Sequence, residues 1–475
     1  MKTPLILKAD SYKISHWMQV PDGLEYMQSY IESRGGFSPN VMFFGLQKFI
    51  KDNLLTPVTL EDIAKAKRIL DAHLGPGIFN EAGWLRLVEK HGGYLPLKIR
   101  AIREGMVVPT KTALVTVENT DPEFHWCVSY IETSMLRDVW YGTTVATISK
   151  TCKDIMNEYL DKYSDDADAI NFMLHDFGYR GVSSDESAQM GGMAHLVNFK
   201  GTDTMASLVA AIEYYNAGIE GFSVIASEHS TTCLNSNAET KDDFNAIEKM
   251  VSILEKRCKE TGTFQIVSAV ADTYDVYRYV EYVGTHFKDR IMNSGGRFVI
   301  RPDSGDVNVV AVNLVIELMK YFGYTVNSKG MKVLPPCIRV LQGDGINFES
   351  IRNIFDYAVG MDISPCNFVF GAGGFLLQHC DRDWLKFAMK CSAACINGKW
   401  VDVYKDPITD PGKTSKKGRL TTIRTIGDEF KTVRINEVGN TDIDIMHDVY
   451  ENGSLFNATT FNDVRETSNI FKVLK

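Results

Sequence analysis

The stretch R-F-V-I-R-P-D-S-G-D, residues 297–306, followed from Val309 by V-V-A-V-N-L-V-I-E-L-M-K-Y-F, decides the fold class. A short run of β-branched and aromatic residues reads as a strand. It stops abruptly in charged residues and glycine, and apolar residues at helical spacing follow. The same phrase recurs on both sides. F-S-V-I-A-S-E-H ends at His229, with the helical pattern D-D-F-N-A-I-E-K-M-V-S-I-L after it, and F-Q-I-V-S-A-V-A-D ends at Asp272. Further on, I-R-V-L-Q-G-D-G ends at Gly345 and N-F-V-F-G-A-G-G at Gly374. Strand-then-helix units of roughly 30–45 residues predict a parallel β/α sheet, closed into a barrel or doubly wound. In either architecture the active site sits at the carboxyl ends of the strands. That is where the sequence concentrates His229, Asp272, Arg301, Asp303, Asp344 and the glycines of 371–374. Core packing accounts for the apolar runs, but not for a chemically capable residue at the end of each.

The flanking sequence has another rhythm. L-E-D-I-A-K-A-K-R-I-L-D-A-H-L, within a helical region over 59–90, gives way between Gly92 and Thr120 to the strand-like runs L-P-L-K-I-R-A-I and T-A-L-V-T-V. Residues 124–162 read as helix, and after Phe387 the pattern is β-like again through W-V-D-V-Y. The expected organisation is a mixed α/β domain from 1–165 and 380–475, with a β/α barrel over 166–379 carrying most of the active site.

The 475 residues are 44% hydrophobic and 23% charged, the profile of an ordinary globular chain, which excludes wholesale disorder. A net charge of −9 argues against a general nucleic-acid or anionic-membrane binder, so any polyanion is gripped locally. The opening M-K-T-P-L-I-L-K-A-D meets a charge after three apolar residues, too short a run for a signal-peptide core. The nine cysteines are dispersed without a C-x-x-C pair, which fits neither a disulfide framework nor a cysteine zinc site. A cytoplasmic protein is expected.

Several motifs have both a chemical and a plain structural reading. G-A-G-G at 371–374 suits close backbone approach to a phosphate, or simply a tight strand-to-helix turn. Leu376 stands where a dinucleotide fingerprint needs glycine, and Pro407 breaks the P-loop pattern that P-G-K-T at 411–414 suggests. The surrounding K-T-S-K-K-G-R is a solvated face or a polyphosphate clamp. Arg301 and Asp303 suit a phosphate and sugar hydroxyls, or a surface salt bridge. Glu228-His229, with Asp272 one unit later, fits a carboxylate-oriented histidine acting as general base or phospho-acceptor, or a hydrogen-bonded core histidine. Asp203 in G-T-D-T-M is a ligand-facing carboxylate or a helix N-cap. Together these groups describe a site for a phosphorylated sugar.

Longer blocks go further. A-D-S-Y-K-I-S-H (9–16), V-E-N-T-D-P-E (117–123), L-H-D-F-G-Y-R-G-V-S-S (174–184) and H-L-V-N-F-K-G-T-D-T (195–204) closely resemble the nicotinamide phosphoribosyltransferase family. So do S-E-H-S-T (227–231), R-P-D-S-G (301–305), Q-G-D-G (342–345) and K-D-P-I-T-D-P-G-K-T-S-K-K-G-R-L (405–420), in the family's order and nearly end to end. The resemblance implies the type II phosphoribosyltransferase fold, an irregular β/α barrel with a mixed α/β domain formed by both chain ends. It implies transfer of phosphoribose from 5-phosphoribosyl 1-pyrophosphate to nicotinamide, giving nicotinamide mononucleotide and pyrophosphate in NAD synthesis. It also implies Mg²⁺ carried with the diphosphate, ATP as a coupled co-substrate, and a homodimer with shared active sites. Nucleic acid and membrane are not expected partners.

Residue by residue, the resemblance stacks the base between Phe177 and Tyr12, the tyrosine from a second subunit. It gives Asp203 the carboxamide, sets Arg180 and Arg301 over ring and phosphates, and has Asp303 and Asp344 hold the ribose hydroxyls. Gly343, Gly373 and Gly374 offer backbone to ribose and 5′-phosphate. The resemblance makes Arg34, Arg382, Lys390 and Lys405, contributed by the second subunit, further phosphate grips, puts Lys413 in the basic loop, and makes His229 the histidine that ATP phosphorylates, with Glu228 and Asp272 beside it. No metal ligand among the side chains is implied. Phe375 departs from the pattern, standing where the family continues its glycine run. The competing expectations are nicotinate phosphoribosyltransferase and an inactive relative serving as a binding protein.

Overall fold

Among the described residues, short strands curl into a parallel sheet in the order Gly201–Thr202, Leu174–Asp176, Phe368–Ala372, Ile338–Gln342, Arg297–Arg301, Ile266–Val270, Ile225–Ala226. The structure is a computed structural model that describes residues 3–410 and 413–470. Numbered along the chain, the barrel strands are the first at Leu174, the second at Gly201, the third at Ile225, the fourth at Ile266, the fifth at Arg297, the sixth at Ile338 and the seventh at Phe368. The ladder registers are parallel throughout, with Ile300 opposite Ala269, Phe298 opposite Ile338, and Phe370 opposite Leu174. A parallel bridge from Gly201 to Phe222, just ahead of the third strand, joins the two edges of the sheet. The result is an irregular β/α barrel.

The fourth to seventh strands are apolar because their middles are covered on both faces, whereas Ile225 and Ala226 of the third are exposed. Phe298, Ile300, Ile338, Val340 and Phe370 are fully buried. The returning helices present one apolar stripe: Phe244–Thr261 buries Ile247, Val251 and Leu254, then stops at Gly262 with φ +65°. The start of one of them is capped, the Asn347 side chain accepting from the amides of Glu349 (2.9 Å) and Ser350 (3.0 Å) ahead of the helix Phe348–Gly360.

The other unit is an antiparallel sheet drawn from both chain ends, in the order Lys399–Asp402, Phe387–Ile396, Leu24–Ser33, Ala113–Asn119, Leu97–Ala101, His447–Glu451, Ser454–Leu455. Tyr30, Ile31, Phe49, Trp84, Leu97 and Val117 lie in its core. The helical region predicted over 59–90 is two helices, Leu60–Leu74 and Glu81–His91, because Gly75-Pro76-Gly77 cannot carry a helix through.

The chain divides into Met1–Thr147, Ala210–Gly218 and Cys380–Lys475 as one unit, and Ile148–Val209 with Ile219–His379 as the other. Compared with the boundaries at 165/166 and 379/380 read from the sequence, residues 148–165 fall with the barrel and 210–218 with the chain ends. Specific contacts explain both shifts. In the barrel unit the Tyr159 hydroxyl donates to Asp356 (2.5 Å) and the Tyr163 carbonyl accepts from Ser364 (2.9 Å). In the other, Tyr215 donates to the buried carboxylate of Glu104 (2.7 Å), while the Tyr214 carbonyl accepts from Gln47 (2.7 Å). Burial holds that Glu104 carboxyl above the usual range.

Candidate active site

A cavity of about 1140 Å³ opens where the barrel strands end. Its wall contains Phe177, Arg180, Asp203, Glu228, His229, Arg301, Asp303, Gly343, Asp344, Gly373 and Gly374. These eleven residues come from six strand ends separated by up to two hundred positions, and the parallel sheet brings all of them to one rim.

The third and fourth strand ends supply the histidine. His229 opens the short helix His229–Asn235, and its Nε2 lies 3.1 Å from Oδ1 of Asp272. A carboxylate only accepts, so this contact places a proton on Nε2, and it is the neutral ring that then keeps a lone pair on Nδ1. Asp303 stands on the Nδ1 side, Oδ2 at 3.9 Å. Glu228 precedes the helix, its amide donating to Thr231 Oγ1 at 3.2 Å. Arg301, closing the fifth strand, donates from Nη2 to the Ser227 carbonyl at 2.7 Å, tying the strand end below Glu228 and His229 to its own. Asp303 and Asp344 are exposed on the rim.

The first and second strand ends supply the aromatic ring and a further carboxylate. The amide of Phe177 donates to Ala372 at 2.9 Å, and the ring packs against Gly371, where a Cβ would come within 2.1 Å of Cε2. Asp203 donates its amide to the Asp176 carbonyl (2.9 Å), and its Oδ1 accepts from the Ser223 hydroxyl. The first amide ahead of the helix Met205–Tyr215, that of Thr204, is taken by Thr202 Oγ1 at 3.0 Å. The Asp203 carboxylate is therefore engaged with Ser223 and does not serve as the cap.

Beneath them lies Asp176, a group the sequence reading quoted but did not single out. Its Oδ1 accepts from the Gly178 amide (2.7 Å) and Oδ2 from Thr202 (3.3 Å). Burial pushes its carboxyl up to about 6, against the opposing pull of these hydrogen bonds. Its signal was available: the first strand run also ends in an acidic residue. His379 and Asn347 also line the cavity, with nothing in their local sequence to mark them. Phe375 turns edge-on to Phe348, ring centroids 5.0 Å apart, so its bulk packs on a neighbouring side chain while Gly373 and Gly374 remain in the wall.

Six of the expected residues belong to the other unit. Tyr12 is 60% exposed on the 3-10 segment Ser11–Met18. Arg34 pairs with Glu32 through Nε (3.2 Å), and its buried Nη2 has no hydrogen-bond partner among the described residues. Burial, reinforced by Arg34, Lys13 and Lys405, lowers the affinity of Lys390 for its proton. Arg382 and Lys413 pair with Asp383 (3.2 Å) and Asp410 (3.0 Å), and Lys405 is exposed. Pro411 and Gly412 of the P-G-K-T motif lie outside the described residues. Among the described residues no three His, Cys, Asp or Glu side chains stand grouped to hold a metal ion.

The model of the nicotinate phosphoribosyltransferase (NAPRTase) family matches residues 172–453, and that of the nicotinamide phosphoribosyltransferase N-terminal domain matches 4–99. The chain is 46% identical over 468 residues to a nicotinamide phosphoribosyltransferase of Xanthomonas campestris, covering 97% of each. The chain belongs to the nicotinamide phosphoribosyltransferase family. A second member, from Acinetobacter baylyi, is 30% identical over 496 residues, covering 96% of this chain and 95% of its own. The phosphoribosyltransferase fold extends to more distant structures. Nicotinate-nucleotide pyrophosphorylase from Pyrococcus furiosus superposes with a TM-score of 0.61 at 14% identity, covering 99% of this chain and 97% of its own. Human nicotinic acid phosphoribosyltransferase superposes with a TM-score of 0.55 at 14% identity, covering 97% and 93%.

Proposed function

We propose that this family member joins nicotinamide to 5-phosphoribosyl 1-pyrophosphate, forming nicotinamide mononucleotide and pyrophosphate for NAD synthesis in the cytoplasm. The observation that carries the reading is one cavity lined by an aromatic ring, Phe177, an acceptor, Asp203, and the guanidinium and carboxylates of Arg301, Asp303 and Asp344. A flat ring with an amide suits the first pair, and a ribose phosphate suits the second with the Gly373-Gly374 backbone. Departure of pyrophosphate leaves positive charge on the sugar, so the barrel's task is alignment and electrostatic stabilisation. Mg²⁺ on the diphosphate would neutralise the leaving group.

His229 is the acceptor of the ATP γ-phosphoryl group in this reading. Asp272 holds the ring through Nε2, which leaves Nδ1 as the nucleophilic nitrogen. The active unit is a homodimer in which Tyr12 of one copy completes the base site of the other, joined by Arg34, Arg382, Lys390, Lys405 and Lys413 as diphosphate grips. Arg34 supports this with a buried Nη2 that lacks an acceptor among the described residues. Turnover by purified protein with phosphoribosyl pyrophosphate and Mg²⁺, nicotinamide against nicotinate, tests the whole reading. Preferred nicotinate turnover would make it a nicotinate enzyme, and no turnover of either would make it a binding protein.

A further inference from the structure

Asp203 lines the cavity, yet no side chain of the cavity wall holds its carboxylate among the described residues. The group that does is Ser223, which stands outside that wall. Ser223 follows Phe222, whose amide donates to Lys200 (2.8 Å) and whose carbonyl accepts from Thr202 (3.0 Å) in the bridge that joins the edges of the barrel sheet. The serine is thus mounted on backbone bonded directly to the strand that carries Asp203. Its hydroxyl donates to Oδ1, leaving Oδ2 as the open acceptor.

We infer that Ser223 is a positioning residue that sets the enzyme's choice of base. An exposed aspartate turns freely about its side-chain torsions, and fixing it on ligand binding costs entropy. With Oδ1 held beforehand, Oδ2 meets the carboxamide without that cost. A serine hydroxyl also has a single proton to give. Spent on Asp203, it is withheld from a base bearing a carboxylate, so the pair favours an amide-bearing pyridine twice over. The inference rests on the reading of Asp203 as the acceptor for the base.

The test compares Ser223→Ala and Ser223→Thr with the parent protein, measuring kcat and KM for nicotinamide and for nicotinate at saturating phosphoribosyl pyrophosphate. The base loses no direct contact in these variants, so only the cost of ordering one carboxylate reaches KM, about a fivefold effect. In Ser223→Ala the KM for nicotinamide should rise about fivefold with a smaller change in kcat, and the nicotinamide-to-nicotinate ratio of kcat/KM should narrow. Ser223→Thr, which keeps the hydroxyl, should stay within about twofold of the parent. KM does not depend on the folded fraction, so partial unfolding does not mimic the result. Unchanged KM and ratio in Ser223→Ala, or equal losses in the alanine and threonine variants, would overturn the inference. A parent protein without preference for nicotinamide would instead overturn the function proposed above.

Discussion

Nε2 of His229 lies 3.1 Å from Oδ1 of Asp272, although 43 residues separate them in the chain. The contact joins the ends of two neighbouring parallel strands. Its two members differ in exposure, the His229 side chain 45% and that of Asp272 7%, so a buried aspartate holds a half-exposed ring. A ring held at Nε2, with only the exposed Asp303 carboxylate on its Nδ1 side at 3.9 Å, is suited to accept a phosphoryl group, and the first prediction concerns it.

Replacing His229 by alanine should abolish ATP hydrolysis and ATP stimulation while leaving slow, ATP-independent transfer. The ring supplies the acceptor nitrogen but neither the stacking face nor the sugar carboxylates. ATPase and transferase assays on the same preparation check this, and undiminished ATP stimulation would remove His229 from the role.

Asp203→Asn should narrow the preference for nicotinamide over nicotinate. The parent carboxylate accepts from an amide and repels a carboxylate, a combination that predicts at least ~100-fold preference from a charge-assisted bond of ~1.5–3 kcal/mol and the like-charge penalty. Because Thr202, and not Asp203, takes the Thr204 amide, the substitution should leave the melting temperature nearly unchanged. The ratio of kcat/KM for the two bases is the measurement, and a ratio equal to the parent's would release Asp203 from selecting the base.

Mixing Tyr12→Ala protein with Asp303→Ala protein, each expected to be inactive alone, should restore about a quarter of the sites after subunit exchange. A random mixture makes half its two-fold dimers hybrid, and each hybrid has one intact site of two. No recovery once exchange is confirmed would place the whole site within a single chain.

Asp176 gives a pH dependence with a definite sign. Its folded carboxyl is raised by burial to about 6, above the ordinary value of 3.8. Between those values the unfolded chain has released the proton that the folded protein keeps, so this group's contribution to stability falls as pH rises from about 4 to 6 and is constant beyond. The change amounts to about 3 kcal/mol. Asparagine can still accept from the Gly178 amide, so Asp176→Asn should fold and should show a correspondingly flatter stability between pH 4 and 6 by denaturant titration. A slope identical to the parent's would contradict the raised value.

What the sequence determined by itself was periodic and local. Apolar runs that end in His229, Asp272, Arg301 and Asp344 announce strands covered on both faces and finished at a functional rim, because burial and exposure alternate at that spacing in any parallel β/α fold. Tertiary structure decided what depends on contacts between distant segments. The division at Thr147 falls inside the helix Glu132–Tyr163, where no change of pattern marks it, because contacts such as Tyr159 to Asp356 settle the matter. Asp203 reads as a cap or a ligand group from its neighbours in sequence. Only the closing bridge at Phe222, which brings Ser223 to its carboxylate, shows where that oxygen is spent. Gly371 likewise looks like one glycine of a turn until the Phe177 ring is seen to occupy the space its Cβ would take. A hydrogen bond or a van der Waals contact across the barrel depends on distance in space, and the order of residues along the chain does not contain that distance.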